Sequence, residues 1–84
     1  MDTNSLTLYQ YGSCPFCQRV LRFMAQNGIE LPLKDTLMDP DARRELIDMG
    51  GKGQVPALRI GDEIMYESND IIRWLQENVL VATK

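Results

Sequence analysis

Four short segments of the chain alternate apolar and polar residues, and this two-residue period is typical of half-buried β-strands. They cover residues 6–9, 29–33, 55–60 and 63–66. Pro32 lies within the second segment and indicates an edge strand, because proline donates no hydrogen bond to a neighbouring strand. Gly61 and Asp62 separate the last two segments, and a leading glycine favours a type II′ turn. The last two strands are therefore predicted to form an antiparallel hairpin.

Three other segments repeat their apolar residues every three or four positions, which predicts helices. The first begins at Pro15 and ends at Asn27-Gly28, where a left-handed residue is commonly found. Asp39 is predicted to cap the second helix, with Pro40 in its first turn. Ser68 is predicted to cap the third helix. The buried face of this third helix is expected to consist of Ile71, Ile72, Leu75 and Val79.

The predicted element order is β-α-β-α-β-β-α, which indicates an α/β fold. The first two strands are joined through a helix, so they are expected to be parallel with a right-handed crossover. A four-stranded mixed sheet with helices on both faces accommodates all the elements. No linker or repeat interrupts residues 1–84, so a single domain is predicted.

The amino-acid composition is that of a globular domain, and it argues against binding to nucleic acids or membranes. The 84 residues are 44% hydrophobic and 25% charged, as in ordinary soluble proteins. The net charge of −3 argues against nucleic-acid binding, which usually needs a basic surface. No apolar run is long enough to span a bilayer, and residues 1–5 lack a secretory pattern. We therefore expect a cytoplasmic monomer that binds no membrane.

The chain has no histidine and two cysteines, which excludes several kinds of site. Ser-His-Asp and Cys-His catalytic groups need histidine, and so does a His-containing zinc site. A four-cysteine metal site within one chain is excluded as well. No metal is expected.

Cys14 and Cys17 form a Cys-x-x-Cys motif where a strand leads into a helix, a position typical of thioredoxin-like redox sites. Helix N-termini carry partial positive charge and unpaired N–H groups, which stabilise a thiolate. Cys14 is expected to be the exposed nucleophile, whereas Cys17, one turn into the helix, is expected to be partly covered by Phe16, Val20 and Leu21. Two further interpretations remain open from the residues alone. The pair can be ordinary buried thiols, or half of a metal site completed by another chain.

Three segments resemble the glutaredoxin family and its thioredoxin-like fold. They are Tyr11-Gly12-Ser13-Cys14-Pro15-Phe16-Cys17, Gln54-Val55-Pro56 and Glu67-Ser68-Asn69-Asp70-Ile71. Cys-Pro-aromatic-Cys resembles that family's active-site motif, and Val-Pro resembles its second hallmark. The Glu67-Ser68 pair is similar to the glutathione-binding turn of glutathione transferase N-terminal domains.

The resemblance implies a glutathione-dependent thiol–disulfide oxidoreductase that reduces protein disulfides and glutathione mixed disulfides. Cys14 would attack the substrate and Cys17 would resolve the mixed disulfide. The implied partners are glutathione, as reductant, and disulfide-containing or glutathionylated proteins.

The resemblance also implies a set of glutathione contacts. Pro56 would be the family's cis-proline, and Val55 would pair its main chain with the cysteinyl part of glutathione. Ser68 would receive the γ-glutamyl carboxylate at a helix N-terminus, and Glu67 would pair with the α-amino group. The full implied set is Tyr11, Phe16, Gln54, Val55, Pro56, Glu67 and Ser68.

Two positions depart from the glutaredoxin pattern. Tyr11 stands where many glutaredoxins have a lysine, so a different cation is needed for a glutathione carboxylate. The candidates are Lys52, Arg19 and Arg44. Tyr66-Glu67 replaces the two glycines that usually precede the last helix, which shifts the site toward the transferase version.

The residues leave three alternative functions open. The first is a redox protein reduced by thioredoxin reductase instead of glutathione. The second is an iron–sulfur carrier that holds a cluster between two chains with Cys14 and glutathione. The third is a transferase N-terminal domain separated from its helical partner.

Overall fold

A computed structural model describes residues 6–80, and the element order is the predicted one. The elements are β1 (Leu6–Gln10), α1 (Pro15–Gln26), β2 (Leu33–Asp35), α2 (Pro40–Gly50), β3 (Ala57–Ile60), β4 (Glu63–Met65) and α3 (Ser68–Leu75), and a π-helical segment (Gln76–Leu80) continues α3. None of the helices in this range is long and apolar enough to cross a membrane.

The four strands form one mixed sheet in the order β2-β1-β3-β4. β1 pairs in parallel with β2 and antiparallel with β3, and β3 and β4 form the predicted hairpin. Gly61 has a φ of 60°, and the φ of Asp62 is not positive. A type II′ turn requires a positive φ at its first central residue only, so these values agree with the predicted turn. The carboxyl ends of β1 and β2 and the start of β3 therefore lie at one edge of the sheet.

Helices cover both faces of the sheet, which confirms the predicted α/β architecture. On one face, α1 and α3 pack against the central strands around the buried residues Leu6, Leu8, Val20, Met24, Ile29, Leu58, Ile71, Leu75 and Val79. On the other face, α2 packs through Ala42 and Leu46 against Tyr9 and Ala57. The alternation of side chains along β1 explains this division, because successive residues point to opposite faces.

The predicted boundaries of two strands are wrong. Residues 29–33 were predicted as a strand, but β2 begins only at Leu33. The Ile29 N–H donates to the Met24 carbonyl at the end of α1, and the Ile29 side chain packs into the core, so this stretch first closes the helix. β3 begins at Ala57 instead of residue 55, because Pro56 has no N–H with which to extend the pairing.

One predicted helix cap is confirmed and another is wrong. The Asp39 carboxylate accepts the N–H groups of Asp41 and Ala42 at the start of α2. At α3, Glu67 and not Ser68 occupies the cap position, and its side chain makes no capping hydrogen bond. Ser68 is instead the first residue of the helix, which leaves its N–H among those without an intrahelical partner.

A polar cluster attaches α2 to three strands. The buried Tyr9 hydroxyl donates a hydrogen bond to Glu45, and Lys34 Nζ lies 2.9 Å from Glu45 Oε1. Arg59 also reaches this carboxylate, at 3.5 Å. Burial, followed by the hydrogen bond to Glu45, raises the pKa of Tyr9 to about 12. The Tyr9 hydrogen bond, followed by that of Lys34, lowers the pKa of Glu45, so this carboxylate is charged at neutral pH.

Candidate active site

The two cysteines lie where β1 leads into α1, at the sheet edge that also carries the start of β3. Cys14 occupies the cap position of α1, and Pro15 is the first residue of the helix. The N–H of Cys17 donates to Cys14 Sγ across 3.3 Å. The Cys14 sulfur therefore lies beside an N–H donor at the positive end of the α1 dipole.

The expectation that Cys14 is exposed is wrong, because only 5% of its surface is accessible. Its sulfur turns back over the helix start and lies 3.9 Å from the Val55 carbonyl oxygen. The preceding turn holds it there, since the Cys14 N–H donates to the Tyr11 carbonyl. The Val55 carbonyl therefore covers one side of the Cys14 sulfur.

Cys17 is fully buried, more completely than expected, and both cysteines are free thiols. Burial, followed by the hydrogen bond with Cys14, raises the pKa of the Cys17 thiol to about 12. Cys17 is therefore protonated at neutral pH, and a protonated thiol is a poor nucleophile.

The segment before β3 faces the sulfur of Cys14. The Val55–Pro56 peptide bond is cis, as the family resemblance implied. Val55 is half-buried, and its carbonyl is directed toward Cys14. Its main chain directly precedes β3, at the end of the sheet that carries the two cysteines.

A cleft of about 200 Å³ lies beside Val55 and holds most of the predicted contact residues. Six of the seven predicted residues line it, namely Phe16, Gln54, Val55, Pro56, Glu67 and Ser68. Tyr11 is not part of the lining, and its main chain instead closes the turn that ends at Cys14. Phe16 is 60% exposed, so it belongs to the surface of the cleft and not to the core.

Three lining residues were not among the predicted contacts, namely Arg19, Tyr66 and Asn69. Arg19 lies one turn beyond Phe16 on α1, and the sequence indicated it only as a substitute cation. Asn69 follows Ser68 on α3 and belongs to the segment that carries the family resemblance. The sequence pattern predicted that Tyr66 ends a strand. The one feature that set it apart was that it replaces a glycine of the glutaredoxin pattern.

The charges around the cleft are few. Of the described residues that line it, Arg19 is the one with a positive charge and Glu67 the one with a negative charge. Lys52 lies outside the lining, with its ammonium 4.7 Å from the centre of the Tyr66 ring. Arg44 pairs with Asp41 on the exposed surface of α2, at 3.4 Å. Among the three candidate cations, Arg19 is therefore the one placed to meet a carboxylate in the cleft.

The part of the chain between residues 6 and 80 contains no cluster of three or more His, Cys, Asp or Glu side chains that suits a metal ion.

Comparisons with known proteins identify the family to which this fold belongs. A family model described as "Glutathione S-transferase, N-terminal domain" matches residues 8–79. Prostaglandin E synthase 2 of Danio rerio is 33% identical over 73 residues, which are 86% of this chain and 19% of that protein. The chain thus spans less than a fifth of the length of this curated relative.

Two solved structures illustrate the two sides of the similarity. Glutathione transferase Omega 3C from Trametes versicolor superposes with a TM-score of 0.76 at 28% identity, over 89% of this chain and 34% of that chain. A buckwheat glutaredoxin–glutathione complex superposes with a TM-score of 0.71 at 20% identity, over 95% of this chain and 77% of that chain. The predicted thioredoxin-like fold is therefore confirmed.

Proposed function

Because the chain belongs to the glutathione S-transferase N-terminal domain family, we propose that it is a glutathione-dependent thiol–disulfide oxidoreductase, with glutathione mixed disulfides and protein disulfides as substrates. The observation that carries this proposal is the position of Cys14. Its sulfur caps α1, accepts the Cys17 N–H and adjoins the Val55 main chain beside the cleft. The Cys14 sulfur does not line the cleft, but Val55 joins the two, since it lines the cleft and its carbonyl oxygen lies 3.9 Å from that sulfur.

The first reaction is the reduction of a glutathionylated thiol. The Cys14 thiolate attacks the glutathione sulfur, a Cys14–glutathione disulfide forms, and the substrate sulfur leaves as a thiolate that takes up a proton. A second glutathione thiolate then attacks the bound glutathione sulfur. Oxidised glutathione leaves, and the Cys14 thiolate is restored.

The second reaction uses both cysteines. Cys14 attacks a protein disulfide and forms a mixed disulfide, while one substrate thiolate is released. Cys17 then gives its proton to the released substrate thiolate and attacks Cys14 Sγ, which forms the Cys14–Cys17 disulfide and releases the second thiolate. Two glutathione molecules reduce this disulfide and become oxidised glutathione. The raised pKa of Cys17 supports this order, because a protonated thiol does not compete with Cys14 for substrate.

The lining of the cleft supports glutathione as the reductant. Val55 offers main-chain groups to the cysteinyl part, and the unpaired N–H groups at the start of α3 suit the γ-glutamyl carboxylate. Glu67 carries the charge that complements the α-amino group. Arg19 complements the remaining carboxylate, in the role that the sequence at Tyr11 left open.

The test is reduction of a glutathionylated peptide in an assay that recycles oxidised glutathione with glutathione reductase and NADPH. Turnover that depends on glutathione supports the proposal. No turnover with glutathione, together with turnover when thioredoxin reductase replaces it, would overturn the choice of reductant.

Two further measurements distinguish the oxidoreductase from a transferase and from an iron–sulfur carrier. Conjugation of glutathione to chlorodinitrobenzene without disulfide reduction would favour a transferase. A visible absorption spectrum with cluster bands after anaerobic purification would favour an iron–sulfur carrier, in which Cys14 serves as a ligand.

Replacing Arg19 with glutamine is expected to raise the KM for glutathione about two- to fivefold and leave kcat within about twofold. One exposed charge pair with a carboxylate contributes up to about 1 kcal/mol, and salt weakens it. The KM difference between Arg19→Gln and the unaltered protein should therefore shrink as sodium chloride is raised.

Arg22→Gln is the matched control for this measurement. Arg22 is also an exposed arginine on α1, it lies outside the cleft lining, and its replacement removes the same charge. Equal KM values for the two variants would show that net charge alone, and not the position of Arg19, affects glutathione.

A further inference from the structure

One tyrosine hydroxyl connects the two walls of the cleft. Tyr66 Oη accepts the Lys52 N–H at 3.3 Å and donates to the Lys52 carbonyl oxygen at 2.9 Å. Lys52 lies outside the lining, in the loop two residues before Gln54 on the wall that leads to β3, and Tyr66 directly precedes Glu67 on the opposite wall. Tyr66 itself lines the cleft.

Gly50 makes room for this contact. A Cβ atom at Gly50 would lie 1.9 Å from Tyr66 Oη and 2.7 Å from its Cζ, a distance at which the ring must move. The φ of Gly50 is not positive, so backbone conformation does not require glycine there. The close approach of the tyrosine is the reason that a side chain does not fit.

We propose that Tyr66 is a positioning residue that sets the separation of the two walls, so that Val55 and the start of α3 contact the same glutathione molecule. This inference rests on the proposed function, since glutathione is the substrate that it positions. Without the hydroxyl, the loop before Gln54 loses both main-chain hydrogen bonds to the opposite wall. That loop then shifts more freely relative to Tyr66 and the start of α3, and ordering it costs binding energy each time a substrate binds.

A purely structural role for Tyr66 predicts different behaviour. The ring packs against the cluster of Tyr9, Ala42, Leu46 and Ala57, and losing that packing would lower stability and all activities together. Tyr66→Phe keeps the ring and removes only the hydroxyl. This variant therefore separates positioning from packing.

The test measures substrate binding and thiol reactivity separately for Tyr66→Phe. The KM for a glutathionylated peptide is expected to rise about five- to tenfold, with kcat within twofold. The Kd for S-methylglutathione, measured by calorimetry, should rise by the same factor. Alkylation of Cys14 by iodoacetamide, which needs no second wall, should keep its rate within twofold.

Gly50→Ala provides a second route to the same effect, because its Cβ displaces the Tyr66 ring. It should raise the S-methylglutathione Kd at least as much as Tyr66→Phe does. Lys52→Ala keeps the main-chain partners of Tyr66 and removes the ammonium from its ring, so it should change the Kd less than Tyr66→Phe. A larger effect of Lys52→Ala would assign the coupling to the ammonium and overturn the role of the hydroxyl.

The outcomes distinguish this inference from the proposed function. An unaltered protein that binds S-methylglutathione but does not turn over the glutathionylated peptide contradicts the proposed function, and the Kd comparison still tests Tyr66. Unchanged Kd and KM in Tyr66→Phe overturn the role of Tyr66 alone. An unaltered protein that does not bind S-methylglutathione overturns both.

Discussion

The Cys14→Ser variant is expected to reduce glutathionylated peptide at least about a thousandfold more slowly than the unaltered protein. The reaction needs a sulfur that forms a disulfide bond, and a serine hydroxyl neither ionises near neutral pH nor forms that bond. Cys17 cannot take over the attack, because it is fully buried and its pKa is raised to about 12. The measurement is the initial rate in the glutathione-recycling assay.

Cys17→Ser is the matched control, since it makes the same chemical change one helical turn away. This variant should retain reduction of the glutathionylated peptide, because free glutathione resolves the Cys14–glutathione disulfide. It should lose most reduction of a protein disulfide, which needs the second thiol. If Cys14→Ser keeps the activity and Cys17→Ser loses it, the assignment of the nucleophile is reversed.

Hydrophobic periodicity and turn residues predicted the element order, because most elements bury one face. β1 and the three helices carry that signal clearly, and their positions agree with the structure. The prediction failed at residues 29–33, where alternation was not produced by a sheet. Ile29 is buried because it closes the end of α1, and pairing with β1 begins only where the Pro32 carbonyl accepts the Leu8 N–H and Leu33 lies opposite Leu8.

The cysteine pair and most residues that line the cleft could be predicted, because each belongs to a short motif with a defined local geometry. The cysteine pair marks the start of α1, and Val55-Pro56 and Glu67-Ser68 mark the two walls of the cleft. Tyr66 was missed because its role depends on Gly50, which lies in a different element of the fold. No local pattern records that a glycine and a tyrosine meet across two elements. The burial of Cys14 was missed for a related reason, since Val55 covers it from another part of the chain.

The core and the site share the central strands. β1 ends at the turn that leads to Cys14, and β3 begins directly after the cis peptide bond before Ala57. Strand pairing between β1 and β3 therefore determines how far Val55 lies from Cys14. Loss of packing beneath these strands is therefore expected to lower activity by reducing the fraction of folded protein, and not by removing a contact with the substrate.

Replacing Leu58 with alanine is expected to destabilise the domain by about 3 kcal/mol, within the usual range of roughly 2–5 kcal/mol for a buried leucine. Leu58 is fully buried on β3, directly across from Leu8 on β1. An 84-residue domain has a free energy of unfolding of roughly 4–13 kcal/mol, so this loss is a large share of the total. Urea unfolding followed by circular dichroism gives the value, and the thermal midpoint should fall by more than about 10 °C.

Leu33→Ala is the matched control, because Leu33 pairs with the same Leu8 from the opposite side. Leu33 lies on the edge strand β2 and is 49% exposed, so its truncation removes less buried surface and leaves no enclosed cavity. We expect a loss of less than about 1.5 kcal/mol. Equal losses for the two variants would show that the centre of the sheet at Leu58 is no more tightly packed than its edge at Leu33. If the losses differ as expected, Leu58→Ala should reduce glutathionylated peptide at a nearly normal rate at low temperature, where it is folded. On warming, the rate should fall in proportion to the folded fraction. The reason is that the Leu58 side chain affects Val55 and Cys14 only through the pairing of β1 with β3.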